Sequence, residues 1–333
     1  MFSEQNYATI PLMQNLGRKI SVAIFIALAI LVALAFYADA PRLFSALAAF
    51  QWQWIPLALV ATLANYFLRF IRWHYYLGVV GVTNVPPRDS LLIFLSGFSL
   101  TMTPGKLGEL LKSFLLKARY ATPISQSASI VIAERLTDVL GMVLLAAIGL
   151  GVYPLGVSAL AAILIATIIF IVIVQRRAWA ERLLDASARL PIIARFIPLA
   201  RNLYASAFLL LRFKPLTIAI GLSMLAWFGE CVTLLIVLLG IGLAPTLLLL
   251  LQATFIYAAA SLFGAASMLP GGLGATEGGL AFLLEQIVAV TREGAVAATL
   301  IVRFVTLWFA VLLGLIAVIG LRVPALALQP TRD

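Results

Sequence analysis

Residues 126–152, QSASIVIAERLTDVLGMVLLAAIGLGV, run for 27 positions without a proline and carry only three charges, Glu134, Arg135 and Asp138. As one helix the stretch is about 40 Å long, more than the ~30 Å of a bilayer's hydrocarbon core. Further apolar runs cover 20–37, 52–68, 155–174, 216–240 and 296–320, and each reads as a span. Six spans predict an all-α polytopic integral membrane protein, a single membrane domain over 1–333. In lipid the backbone of such segments satisfies its own polar groups by coiling into helices.

Composition agrees. The chain is 63% hydrophobic and 11% charged, against roughly 25% charged in ordinary soluble domains, and its mean hydropathy is +1.10. This excludes a soluble enzyme and a disordered chain. The single cysteine, Cys231, has no partner for an internal disulfide and lies in an apolar run, where it packs. The net charge of +10 does not indicate nucleic acid, because the basic residues are scattered between apolar runs and form no soluble basic face. The first run precedes Ala38-Asp39-Ala40, which looks like a signal-peptide cleavage site, but it exceeds the ~7–15 residues of a signal core and is read as a span.

Two hairpins interrupt the pattern, 90–120 and 245–290, each broken in the middle by Pro-Gly. If each returns to the side it left, one face collects Arg18, Lys19, Arg72, Arg88, Lys117, Arg119, the many arginines of 176–214, and Arg322 and Arg332. The other keeps Arg42 and Arg292, each beside an acid. The positive-inside rule then makes the rich face cytoplasmic, with both termini inside, in the cytoplasmic (inner) membrane of a bacterium or archaeon. From Ser90 to Thr103 a helix reaches roughly 21 Å, to mid-bilayer but not across, so the first hairpin is expected to be re-entrant. The second is long enough to leave a count of eight spans open. The 176–214 loop places Trp179, Leu183, Ala186 and Leu190 at helical spacing and predicts an interfacial helix.

The breaks align. Pro104-Gly105-Lys106-Leu107-Gly108-Glu109 lies over Pro270-Gly271-Gly272-Leu273-Gly274-Ala275-Thr276-Glu277, and a two-residue offset brings Arg135 over Arg303. Gly81 lies on Gly242 if a length difference is allowed. This predicts a first repeat at 52–152 and a second, inverted one at 216–320, with the broken helices tip to tip around a midplane polar site.

Charges within such segments are costly and are candidate functional groups. Lys106, Glu109 and Lys112 share one side of the helix leaving the first break, whose N-terminus also favours an anion. Glu134, Arg135 and Asp138 leave a deficit of positive charge that Lys106, Lys112 or Arg69 is expected to fill. Arg69 and Arg72, with Trp73 and His74, close the second span as interfacial anchors or as phosphate ligands. Glu277 follows the second break, and Glu230, in mid-span, is a partner for Arg303. No Walker A, metal-ligand or nucleophile motif occurs, so no cofactor, metal or catalytic residue is expected.

Together, Arg69-x-x-Arg72-Trp73, Thr103-Pro104-Gly105-Lys106-x-Gly108-Glu109, Glu134-Arg135-x-x-Asp138 and Pro270-Gly271-Gly272-x-Gly274-x-x-Glu277 resemble the flippase-like transmembrane family that includes the membrane region of lysylphosphatidylglycerol synthases. The resemblance implies movement of a lipid with a polar head group between leaflets. The sequence ends at Asp333, so the synthases' soluble aminoacyl-transferase domain is expected to be absent, and lysylation by this chain is not expected.

The expected function is therefore that of a lipid translocase for a phosphate-containing head group. Its substrate-binding residues are Arg69, Arg72, Lys106, Glu109, Lys112, Glu134, Arg135, Asp138, Glu277 and Arg303, and its hinges Pro104, Gly105, Gly108, Pro270, Gly271, Gly272 and Gly274. The alternatives are a scaffold for a separate lipid-modifying enzyme or glycosyltransferase, and a membrane enzyme with Glu134 or Asp138 as general base. A homodimer is compatible with the large lipid-facing surface.

Overall fold

The computed structural model describes residues 29–30, 32–34, 36–102, 109–150, 157–187 and 197–321, and among these there is helix and no strand. Helix α1 (Ala40–Ala49) precedes α2 (Ile55–Val79), and α3 (Pro87–Ser96) and α4 (Leu111–Tyr120) form the first broken hairpin. Then come α5 (Ile124–Leu150), α6 (Val157–Gln175), and the loop helices α7 (Arg177–Ser187) and α8 (Ile197–Leu210). The second half holds α9 (Phe213–Gly240), the broken pair α10 (Leu247–Ala266) and α11 (Ala275–Leu283), and α12 (Arg292–Arg303). A π-helical turn, Phe304–Trp308, carries α12 into α13 (Phe309–Gly320).

Four of these segments are long and apolar enough to cross a membrane: Trp52–Val79, Phe213–Gly240, Leu247–Ala266 and Arg292–Gly320. Helix α5 is 27 residues long and carries three charges near its middle. The expected span at 52–68 does not stop at 68. It continues to Val79, because Phe70, Ile71, Trp73, Tyr75, Tyr76 and Leu77 prolong its apolar surface and no breaker intervenes before Gly78. Most of the 20–37 run lies outside the described residues. Large apolar side chains such as Phe67, Ile132, Ile148, Phe263, Phe304 and Ile316 face outward, as expected where the surrounding solvent is lipid.

The ends of α2 and α9 are built alike. Gly81 has φ 83° and Gly242 φ 98°, the left-handed conformation that glycine takes without a Cβ clash. Beyond them the Val82 N–H donates to Leu77 C=O at 2.9 Å and the Leu243 N–H to Leu238 C=O at 3.2 Å. Both are Schellman-type stops with the same offsets.

Helices α2 and α9 lie along one another. Their contact is joined by the Thr62 and Thr233 hydroxyls at 3.3 Å and by the Asn65 side-chain amide donating to Ala226 C=O at 2.7 Å. The hairpins are then exchanged between halves. Helix α3 and its 3-10 extension Gly97–Leu100 pack on α13, while α10 packs on α5. At the first of these contacts a Cβ on Gly314 would strike the backbone of Phe98 and Ser99. Among the described residues two apolar cores are the largest. One holds Trp73, Tyr76, Ile93, Leu116 and Ile130, and the other Trp227, Cys231, Phe255, Leu284 and Val302. Cys231 is fully buried and its thiol donates to Thr254 C=O at 3.7 Å. In the 176–214 loop Trp179 is exposed on α7, with Arg177 paired to Glu181 and Arg201 to Asp185 at 2.8 Å each; Leu190 lies outside the described residues.

Candidate functional site

The charges of α5 are neutralised by a line of alternating sign that crosses three elements. Lys112 Nζ meets Glu134 Oε2 at 2.6 Å, Arg72 Nη1 meets Asp138 Oδ1 at 2.6 Å, and Arg72 Nη2 stands 3.9 Å from Glu134 Oε1. Arg135 Nη2 closes the line, 2.9 Å from Asp138 Oδ2 and 3.2 Å from Glu109 Oε2. Three cations thus balance three carboxylates. Arg72 also donates to the Thr137 and Ser223 hydroxyls, and Ser223 donates to Asp138 at 2.8 Å. The Lys112 ammonium lies 4.3 Å from the centre of the Trp73 ring, a cation–π contact that offsets part of its desolvation. Burial of so many charges is tolerated only with this degree of pairing.

This arrangement corrects two sequence expectations. Glu109 and Lys112 do not share one side of a single helix: Glu109 lies in a short 3-10 turn before α4 begins at Leu111, and Glu109 pairs with Arg135 and Lys112 with Glu134. Arg72 is no interfacial anchor. Its side chain is 1% exposed, inside the protein, because α2 continues past it. Pro104, Gly105, Lys106 and Gly108 lie outside the described residues.

The second half forms a smaller counterpart. The break after α10 uses Pro270 and three left-handed glycines, Gly271, Gly272 and Gly274, at φ 61°, 67° and 84°. Glu277, in the first turn of α11, accepts the Gly274 N–H at 2.7 Å and the Arg303 Nε–H at 2.6 Å. Arg303 Nη2 donates to Gly271 C=O at 3.0 Å. The ion pair of Arg303 is therefore with Glu277 and not, as expected, with Glu230, which accepts from the Tyr257 hydroxyl.

Between the two halves lies a cavity of about 300 Å³. Arg69, Thr101, Glu109, Arg135 and Asp138 line it from the first half, and Gly271, Gly272, Thr276 and Arg303 from the second. Tyr66, Phe98, Trp227 and Tyr257 form aromatic walls. Arg72, Lys112, Glu134 and Glu277 are not part of this lining; Arg72 pairs with Asp138 and Glu277 with Arg303, which are, while Lys112 and Glu134 pair with each other. Sequence reasoning missed Trp227, Thr101 and Tyr257, uncharged residues in apolar runs that nothing local separates from packing positions.

The polar atoms left over on this lining are mostly donors. Arg69 Nε, Arg135 Nε, Trp227 Nε1 and Thr101 Oγ1 are buried with no hydrogen-bond partner among the described residues. The Arg69 guanidinium lies 5.3 Å from the centre of the Phe98 ring and, among the described residues, is in no ion pair. Buried donors without partners cost about 1–3 kcal/mol each. A guest that supplies anionic oxygens recovers that cost, and an arginine fork beside an indole N–H suits phosphate or carboxylate geometry.

A family model described as lysylphosphatidylglycerol synthase TM region matches residues 22–314. No curated protein matches the chain.

Proposed function

Since the chain belongs to the family of the lysylphosphatidylglycerol synthase TM region, a multi-pass membrane protein family, we propose that it moves a lipid with a polar, phosphate-containing head group between leaflets. The observation that carries this reading is the set of unpartnered donors, Arg69 Nε, Arg135 Nε, Trp227 Nε1 and Thr101 Oγ1, around one cavity between the spans. Arg69 and Arg135 bind the phosphate, with Trp227 and Thr101 as neutral donors. Glu109 and Asp138 balance Arg135 while the site is empty, so that arginine is not a naked cation in lipid.

The described residues that flank the two breaks support a translocation reading. Each half contributes a helix pair interrupted at the cavity, and in each the residue after the break is tied to a helix of its own half, Glu109 to Arg135 and Glu277 to Arg303. We read these as inverted repeats that alternate access around the cavity. The bias of Lys and Arg supports reading the basic loops as cytoplasmic, in a bacterial or archaeal inner membrane with both termini inside.

The test is lipid analysis after incubating the purified protein in liposomes with head-group-labelled phospholipids and a polyprenyl phosphate. An unchanged lipid recovered in the opposite leaflet supports translocation. A covalently altered lipid points to an enzyme, and no movement of any lipid points to a scaffold; either overturns the proposal.

A further inference from the structure

The cavity has one set of exposed lining residues among those described: Ala265, Met268 and Leu269, at the end of α10 and the turn that follows. Met268 is 65% exposed and Leu269 47%. All three are apolar, although the interior they border carries arginines and carboxylates. A mouth for a free, water-borne anion would be lined by polar groups, because an ion shedding water there needs replacement partners. An apolar mouth has the opposite chemistry and suits contact with hydrocarbon.

The local backbone fixes how the helix ends here. Met268 takes φ 54°, a left-handed conformation costly for a side chain with a Cβ. The turn is secured by Ser267, which donates to Gly264 C=O at 2.7 Å and accepts the Leu269 N–H at 3.3 Å. The helix thus ends with Met268 and Leu269 projecting outward beside the donor-lined interior. At about 300 Å³ the cavity sits at the small end of the range for bound molecules, room for a head group and not for its hydrocarbon chains.

We propose that Ala265, Met268 and Leu269 form a lateral passage holding the hydrocarbon chains of the lipid in the bilayer while its head group occupies the cavity. This rests on the head-group reading above, and adds that the substrate never leaves the membrane and is bound at two places, phosphate within and chain across the passage.

The probe is a phosphatidylglycerol with a diazirine midway along one acyl chain, photolysed with the whole protein in liposomes and mapped by peptide mass spectrometry. Labelling at 265–269 is expected to exceed that at Phe304 and Ile316, exposed apolar residues that are not part of the cavity lining. In Arg69→Ala the excess falls about tenfold, the loss expected for one charged hydrogen-bonding partner, while labelling at Phe304 and Ile316 is unchanged. An equal yield at all these positions, or an excess that survives Arg69→Ala, overturns the passage. The head-group reading has its own readout, the thermal stabilisation of wild type by glycerol 3-phosphate and its loss in Arg69→Ala. Stabilisation without the labelling excess defeats the passage alone. An Arg69-dependent excess without stabilisation supports the passage and counts only against free glycerol phosphate as a ligand.

Discussion

Glu109 and Arg135, 26 residues apart in sequence, meet at 3.2 Å, and Glu277 and Arg303, with the same separation, meet at 2.6 Å. Each pair joins the residue following a Pro-Gly break to a helix of the same half, and both arginines line the one cavity. An equal spacing, an equal ion-pair type and a shared cavity relate the two halves more closely than their few identical residues do.

The tie in the second half holds the turn itself. Arg303→Met removes a partner from Glu277 and from Gly271 C=O together, and loss of one member of a buried pair costs about 3–5 kcal/mol. The double variant Glu277→Gln with Arg303→Met should lose less than the sum of the two single changes. Thermal unfolding in detergent measures this, and strict additivity would show that the pair does not act as a unit.

Arg69 and Arg72 stand one turn apart on α2 and have different work. Arg72→Met leaves two cations, Lys112 and Arg135, for the three carboxylates Glu109, Glu134 and Asp138, so a loss of about 3–5 kcal/mol and poor yield are expected. Arg69→Met removes a guanidinium that is in no ion pair among the described residues and should melt near wild type. Parallel melting curves of the two variants check the contrast.

Close helix approach is the third point. Gly314→Ala drives a Cβ into the backbone of Phe98 and Ser99, and overpacking of this kind costs about 1–3 kcal/mol or more. At Gly221 a Cβ meets nothing within 4 Å, so Gly221→Ala should raise stability by up to about 1 kcal/mol. Opposite shifts in melting temperature are expected.

At the end of the first hairpin, beyond the spans, the Tyr120 hydroxyl donates to Asp89, beside Arg119 at 3.3 Å. Burial and then the Asp89 carboxylate push its pKa up to about 12, from about 10 in an unfolded chain. The neutral phenol is the form the folded state prefers, so its stabilisation is complete below pH ~10 and is lost as pH rises towards ~12. The stability difference between wild type and Tyr120→Phe should be flat below pH ~10 and shrink above it, as melting curves over that range would show.

Much of this was legible in the sequence. Apolar length predicted α5, α9 and the segment ending in α13, and the Pro-Gly alignment put Arg135 over Arg303. The burial of Arg72 was not legible, because an arginine at the end of an apolar run looks interfacial until the helix is known to continue to Val79. The charge deficit at Glu134, Arg135 and Asp138 named Lys112 among three candidate partners, and Lys112 does pair with Glu134; which of the three was not legible, since helical spacing relates Lys112 to Glu109 only if one helix contains both, and the turn before Leu111 rotates them apart. Trp227 and Thr101 carry no charge and lie in different segments, so only the tertiary fold makes them neighbours of Arg69.

The most direct test of the central claim is the initial rate at which head-group-labelled phosphatidylglycerol crosses the bilayer of liposomes containing wild-type protein or Arg69→Ala, with folding verified by matched melting temperatures. The account predicts movement by the wild type and a rate at least about tenfold lower in the variant, the effect of one lost charged contact to phosphate. Equal rates in two equally folded proteins would contradict it.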